Sequence, residues 1–190
     1  MNVLILDLDE TLIYSTYCKL PNSTNNEYII IDGVYIYKRP YLDEFLDNLS
    51  KLYRIGIWTA SPKAYALPII NQLIKIPLEL IFTGEKCTRI DHPVLDAGFT
   101  SQRLCFKRIK KIKKKMKVKI ENILIVDNTQ NTFAKNYGNG ILIPDFLGHT
   151  SDTALIYLEK FLIKISTCQN ILKISKHHIN LLPSDTFTFN

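Results

Sequence analysis

The chain has 190 residues, 24 Lys+Arg against 18 Asp+Glu, and a formal net charge of +6. Nine of the basic residues lie between Lys107 and Lys119 with no acid among them, so the rest of the chain carries −3. A mildly acidic domain with one basic segment disfavours a general electrostatic grip on nucleic acid and leaves only a local one open.

The length fits one domain with a real core. A hydrophobic content of 46% with 22% charged residues is ordinary globular composition. The four cysteines, Cys18, Cys87, Cys105 and Cys168, form no C-x-x-C pair. That argues against a disulfide framework or a zinc knuckle and fits a reducing compartment. The N-terminus has neither a basic leader nor a long apolar run. No stretch approaches the ~20 apolar residues that span a bilayer. We therefore expect a soluble intracellular protein, cytoplasmic or nuclear, with no membrane partner.

In chain order, Val3 to Leu8 is an apolar run suited to a strand buried on both faces of a parallel sheet. Residues 27–38 place two β-rich runs around Asp32-Gly33, a two-residue hairpin signal. Pro40 opens a helix with an apolar stripe of Leu42, Phe45, Leu46, Leu49 and Leu52. Arg54 to Trp58 reads as a second buried strand. Ser61-Pro62 offers an N-cap and an N1 proline for the next helix, which Pro68 kinks. Glu79 to Thr83 is a third strand. Residues 84–103 show no clear period and read mostly as loop, with a short strand at Leu104 to Phe106. Ile109, Ile112 and Met116 give the basic segment the thin apolar stripe of a helix. Asn122 to Val126 and Ile141 to Ile143 are further strands. Ser151-Asp152 caps a last helix through Leu162. Strands alternating with helices predict an α/β fold with a doubly wound parallel sheet. The expected boundaries are a domain over 1–165, with a flap insertion at about 13–38, and an extension over 166–190 that is either an extra helix or a flexible tail.

In such a sheet, ligands bind outside the carboxyl ends of the strands. This sequence places Asp7-Leu8-Asp9-Glu10-Thr11, Thr59-Ala60-Ser61, Lys107 and Asp127-Asn128 at strand ends. Asp7 suits a nucleophile that attacks phosphorus, splitting hydrolysis into two easier steps. Asp9, two residues on, suits a general acid and base. Carboxylates beside a phosphate require a cation, and Mg²⁺ takes oxygen ligands while keeping several waters. Asp7, the Asp9 carbonyl and Asn128, supported by Asp127, form the candidate metal set. Thr59 can bond the transferring phosphoryl group, and Lys107 can offset its charge.

The motifs L-D-L-D-E-T-L-I at 6–13, Y-K-R-P-Y-L-D-E-F-L at 37–46, I-W-T-A-S-P-K-A-Y-A at 57–66, I-V-D-N-T at 125–129 and D-F-L-G-H-T-S-D-T-A-L at 145–155 resemble the haloacid dehalogenase superfamily. Within it, the chain is similar to the small RNA polymerase II C-terminal-domain phosphatases, the NLI-interacting-factor-like family. The resemblance runs from about residue 3 to about 163. It implies a haloacid dehalogenase-like fold and a Mg²⁺-dependent phosphatase acting on phosphoserine or phosphothreonine in a protein through an aspartyl-phosphate. It puts Asp7, Asp9, Thr59, Lys107 and Asn128 on catalytic and metal positions. Thr11, Thr59, Ala60, Lys107 and Arg39 are the candidate substrate-side residues, Arg39 in a structural or supporting part.

Several readings stay open at this level. The family has Lys-Asp-Leu where this chain has Lys107-Arg108-Ile109, so Lys110 or Lys111 competes with Lys107 for the phosphate-side position. About 25 residues between the first strand and Arg39 allow a hairpin flap and no large cap, which favours a macromolecular substrate. Tyr14, Tyr17, Tyr28, Tyr35 and Tyr37 there either line a peptide groove or pack the strands. The segment Lys107–Lys119 is either a solvated face or a docking site for an acidic partner or nucleic acid. A nucleic-acid end phosphatase and a catalytically silent phosphoprotein scaffold are the alternative functions. His177-His178 read as tail surface.

Overall fold

Five apolar runs become the five strands of one parallel sheet in the computed structural model, which describes residues 1–21, 23, 27–93 and 101–174. They are β1 (Asn2–Leu6), β5 (Tyr53–Trp58), β6 (Leu80–Phe82), β9 (Ile123–Asp127) and β10 (Gly140–Leu142). Their order across the sheet is β10-β9-β1-β5-β6, with every pairing parallel. β1 lies in the middle, and all five of its residues are buried. Its side chains divide by alternation. Leu4 and Leu6 join a core under α1 (Leu42–Ser50), α2 (Lys63–Leu73) and α4 (Ala154–Ile165). Val3 and Ile5 join a smaller core under α3 (Lys110–Met116), whose Ile112 and Met116, with Ile109 just before, are buried there. Helices on both faces bury both faces of β1, which is why its sequence is apolar at consecutive positions.

The insertion after β1 is a three-stranded antiparallel sheet, ordered β2-β4-β3: β2 (Ile13–Thr16), β3 (Tyr28–Ile31) and β4 (Val34–Lys38). The hairpin between β3 and β4 turns at Asp32 (φ 50°) and Gly33 (φ 78°). Positive φ at both central residues suits the twist of antiparallel strands. The flap therefore has one strand more than a hairpin. Tyr28 packs edge-on against Tyr35 at 5.1 Å between centroids and against Tyr37 at 5.6 Å. Those three tyrosines pack the strands, while Tyr17 is 82% exposed.

Three expectations are corrected. Residues 84–103 are not mostly loop: β7 (Thr88–Pro93) pairs with β8 (Ser101–Phe106) as an antiparallel hairpin apart from the central sheet. Lys107 thus enters the site from that hairpin and not from a strand of the parallel sheet. Ser61 makes no capping bond to α2; its hydroxyl turns to Asp9 instead. Pro40 stands before the first helical turn, with Tyr41 (φ 66°) as the N-cap of α1. Pro68 lies inside α2. Beyond α4, Asn2 Nδ2 donates to the carbonyls of Ser166 (3.1 Å) and Cys168 (3.0 Å), and Ile171 is fully buried, so residues 166–174 pack onto the core. His177-His178 and the rest of 175–190 lie outside the described residues. No helix among the described residues is long and apolar enough to cross a membrane.

Candidate active site

The C-terminal ends of β10, β9, β1, β5 and β6 deliver Asp145, Asn128, Asp7, Thr59 and the turn Gly84–Lys86 in that order along one rim. Asp7 follows β1, and its amide donates to the Val126 carbonyl at 2.9 Å, extending the pairing with β9. The chain then turns sharply. Glu10 has φ 56°, a left-handed conformation uncommon for a side-chain-bearing residue. The turn places Asp9 toward β5 and Thr11 beneath Asp7.

Lys107 is 1% exposed. Its ammonium pairs with Asp7 Oδ1 and with Asp127 Oδ2, the latter at 2.6 Å. Burial drives the Asp7 carboxyl up to about 7, against the downward pull of Lys107. Burial alone would push the Lys107 ammonium down, but Asp7 and Asp127 more than reverse it and hold it above the ordinary lysine range. Lys110 and Lys111 stand apart: Lys110 is exposed, and Lys111 Nζ donates to the Lys86 carbonyl at 2.6 Å. Of the three lysines, the fold brings Lys107 to Asp7.

Asp9 accepts three hydroxyl donors. Thr59 and Ser61 reach Oδ2 at 3.0 and 2.8 Å, and Tyr65 reaches Oδ1 at 2.7 Å. The Ser61 amide in turn donates to Thr59 Oγ1 at 2.9 Å. Gly84 lets the turn after β6 close over this loop, because a Cβ there would stand 2.3 Å from the Ala60 carbonyl oxygen. Ala60 itself is exposed at the mouth.

Thr11 was expected on the substrate side and Arg39 there in a structural or supporting part; the structure buries both side chains. Thr11 is fully buried; its hydroxyl lies 3.1 Å from Asp7 Oδ2 and 3.3 Å from Asn128 Oδ1, and it accepts from the Asn128 amide at 3.2 Å. Arg39 is 1% exposed and binds Asp152 through Nε and Nη2, the Thr11 carbonyl through Nη1, and the Pro144 carbonyl through Nη2. Both position other residues. Asp127 is held from below. Lys107 donates to its Oδ2, and the Thr129 amide donates to its Oδ1 at 2.9 Å, so Asp127 anchors the lysine.

The remaining oxygen donors suit a hard cation. Asp7 Oδ2 and Asn128 Oδ1 converge on the same side of Thr11. Asn128 Nδ2 is turned away by Glu10 (3.2 Å) and Asp145 (2.9 Å), which leaves its oxygen facing Asp7. A carboxylate, an amide oxygen and a backbone carbonyl at Asp9 are few enough ligands for Mg²⁺ to keep waters. No group of three His, Cys, Asp or Glu side chains among the described residues makes a metal cage. Sequence spacing gives Ser61 and Glu10 strand-end positions without a role, and gives Tyr65 and Asp145 no place in this site. Ser61 and Tyr65 do lie inside the motif at 57–66, one two residues beyond Thr59 and the other in the first turn of α2.

The family profile described as NLI interacting factor-like phosphatase matches residues 2–172. The chain belongs to this family. It is 31% identical over 189 residues to Nuclear envelope morphology protein 1 of Saccharomyces cerevisiae, covering 92% of this chain and 42% of that protein. It is 26% identical over 176 residues to the Carboxy-terminal domain RNA polymerase II polypeptide A small phosphatase 1 of Homo sapiens, covering 90% of this chain and 61% of that one. The chain thus spans about half the length of these relatives. A solved structure of an essential RNA polymerase II CTD phosphatase superposes with a TM-score of 0.60 at 18% identity, over 87% of this chain and 62% of that one, and shows the same haloacid dehalogenase-like α/β fold.

Proposed function

We propose that this family member is a Mg²⁺-dependent phosphatase that hydrolyses phosphoserine or phosphothreonine on a protein, with Asp7 as nucleophile. The observation that carries the reading is the buried Asp7 carboxylate bound to Lys107, with Asp9 held two residues away by Thr59, Ser61 and Tyr65.

The chemistry runs in two steps. An Asp7 oxygen bonds to phosphorus as the phosphorus–oxygen bond of the ester breaks, and the departing serine or threonine oxygen takes a proton from the Asp9 carboxyl. Water then attacks the phosphorus of the aspartyl-phosphate while giving a proton back to Asp9, which frees the Asp7 carboxylate and inorganic phosphate. Lys107 offsets charge on the phosphoryl oxygens, and the Thr59 hydroxyl lies within the same site to bond one of them. Thr11 holds Asp7 and Asn128 in register, and Arg39 fixes the Thr11 backbone. Asp7, the Asp9 carbonyl and Asn128 would hold Mg²⁺, which supplies the positive charge that lets a phosphate dianion approach these carboxylates. The three-stranded flap is too small to enclose a substrate, which supports a polypeptide that covers the site itself. Four free thiols support a reducing intracellular setting, nuclear or cytoplasmic.

The test is turnover of an aryl phosphate with Mg²⁺ by wild type and Asp7→Asn, followed by a phosphosite peptide panel. Loss of turnover in the variant with an unchanged fold supports the reading. Equal rates would sink it and leave a silent binding module of the same fold.

A further inference from the structure

The rim is electrically lopsided. At its β10 and β9 end stand the exposed carboxylates Asp145 and Glu10 around Asn128. At its β6 end the exposed charged side chains are Lys86 and Arg89 with one acid, Glu85, and Arg108 follows directly on the buried Lys107. Two hydrogen bonds make this basic side continuous. The Gly84 amide donates to the Ser61 carbonyl at 2.8 Å, seating the turn Gly84–Lys86 on the loop that holds Asp9. Lys111 Nζ donates to the Lys86 carbonyl at 2.6 Å, tying α3 to that turn. From there the exposed Lys113, Lys114 and Lys115 continue the charge along α3. Among the described residues, neither Arg108 nor the exposed lysines from Lys110 to Lys119 form an ion pair with an acid. The acid in the turn, Glu85, is engaged by the Thr83 hydroxyl and the Lys63 amide, with Arg89 nearby.

This surface has a particular chemistry. It presents lysine ammonium groups on flexible stems, point charges that can meet phosphates at varied positions. The segment 107–119 contains no aromatic residue on which a base could stack. Its Ile109, Ile112 and Met116 are buried against the sheet, so no apolar face remains to enter a bilayer. The charge begins one residue after the lysine that touches Asp7. A polypeptide with its phosphate at Asp7 would meet this face by running toward the β6 end of the rim.

We propose that the basic face from Lys86 and Arg108 along α3 docks a second phosphorylated residue of the substrate polypeptide, so that the enzyme prefers multiply phosphorylated segments. This rests on the phosphatase reading above. The exposed acids Glu10 and Asp145 and the docking lysines then occupy opposite ends of one rim, which fixes the direction in which the substrate lies.

The probe is a synthetic peptide with one phosphoserine, compared with the same peptide carrying a second phosphoserine about five residues to either side, a reach of roughly 15–18 Å for an extended chain. The full chain is compared with K113Q/K114Q/K115Q and, separately, R108Q/K110Q, with p-nitrophenyl phosphate as the small substrate. Wild type should favour the doubly phosphorylated peptide in kcat/KM by about tenfold, through KM, with the second phosphate on one side only. The advantage should shrink as salt rises from about 0.05 to 0.5 M. Both variants should lose it while turning over p-nitrophenyl phosphate at the wild-type rate. Equal use of the two peptides by wild type, or an advantage that survives both variants, overturns the proposal. So do variants that keep the peptide preference and lose binding to an oligonucleotide or to phosphatidylserine vesicles. Absence of any turnover would refute the phosphatase reading instead. Fluorescence anisotropy of the labelled doubly phosphorylated peptide then decides the surface: weaker binding by the variants supports it and equal binding refutes it.

Discussion

Arg39 and Asp152 are 113 positions apart in the sequence and meet through two hydrogen bonds, Nε to Oδ1 at 2.9 Å and Nη2 to Oδ2 at 2.8 Å. The same guanidinium reaches the Thr11 and Pro144 carbonyls. The pair thereby joins the end of the flap, the turn beneath Asp7 and the entry to α4. Arg39→Ala leaves the Asp152 carboxylate without its cation, holding only the Ala154 amide, and removes the side-chain donor to two carbonyls. It should cost about 3–5 kcal/mol in urea unfolding, the range for breaking a buried pair on one side. Arg39→Lys should recover only part of that, because an ammonium cannot make the two-pronged contact.

Lys107→Met strands Asp7 and Asp127 with no cation between them. Stability at neutral pH should fall by about 3–5 kcal/mol and turnover should vanish. Lys110→Met, at an exposed position, should stay within about 0.5 kcal/mol of wild type. The reverse pattern would move the phosphate-side lysine into α3.

Asp9→Asn keeps the size of the side chain and removes the proton donor and acceptor. Turnover of a peptide phosphoserine should fall about 10²–10⁴-fold. An aryl phosphate, whose leaving group needs less help from an acid, should suffer less in its first step. Tyr65→Phe removes one of three donors to Asp9 and should lower kcat with little change in unfolding temperature, read by steady-state kinetics beside a thermal melt.

Mg²⁺ should raise the melting temperature of wild type, reaching about 2.7 kcal/mol of added stability at one hundred times its dissociation constant. Chelation by EDTA should reverse the gain and abolish turnover. Asn128→Ala should blunt the thermal response by removing the Oδ1 donor. A full response in that variant would place the ion elsewhere.

Cys87 sits beside the Thr59 carbonyl, and a hydrogen bond from Cys105 lowers its thiol to about 7, while the same contact pushes the Cys105 thiol up. Alkylation of Cys87 by iodoacetamide should therefore rise with pH around a midpoint near 7, because the thiolate is the reacting form. In Cys105→Ala the midpoint should move upward. Peptide mapping after labelling at stepped pH reads both.

The strands of the parallel sheet were legible because a strand covered on both faces must be apolar at consecutive positions, as Val3 to Leu6 and Ile123 to Val126 are. The turn at Asp32-Gly33 was legible because few residue pairs adopt two positive φ angles. The hairpin of β7 and β8 was not, since T-R-I-D-H-P and S-Q-R-L-C-F carry no clean alternation. Its pairing comes from partners brought together by the fold. Ser61 shows the same limit. Its position before Pro62 reads as a helix cap, and the hydroxyl is instead drawn to a carboxylate 52 residues away.

By itself, the sequence determined the order of the parallel-sheet strands and of the helices, the strand-end positions of Asp7, Asp9, Thr59 and Asn128, and the concentration of charge between Lys107 and Lys119. Those are local properties, written in periodicity and spacing. Only the tertiary structure decided that Lys107 and not Lys110 or Lys111 meets Asp7, that Asp127 serves the lysine, that Thr11 and Arg39 lie buried beneath the site, and that the basic segment adjoins the loop holding Asp9. Each of these depends on which side chains converge when β8, β9 and the turn after β1 come together, and convergence in space leaves no periodic trace along the chain.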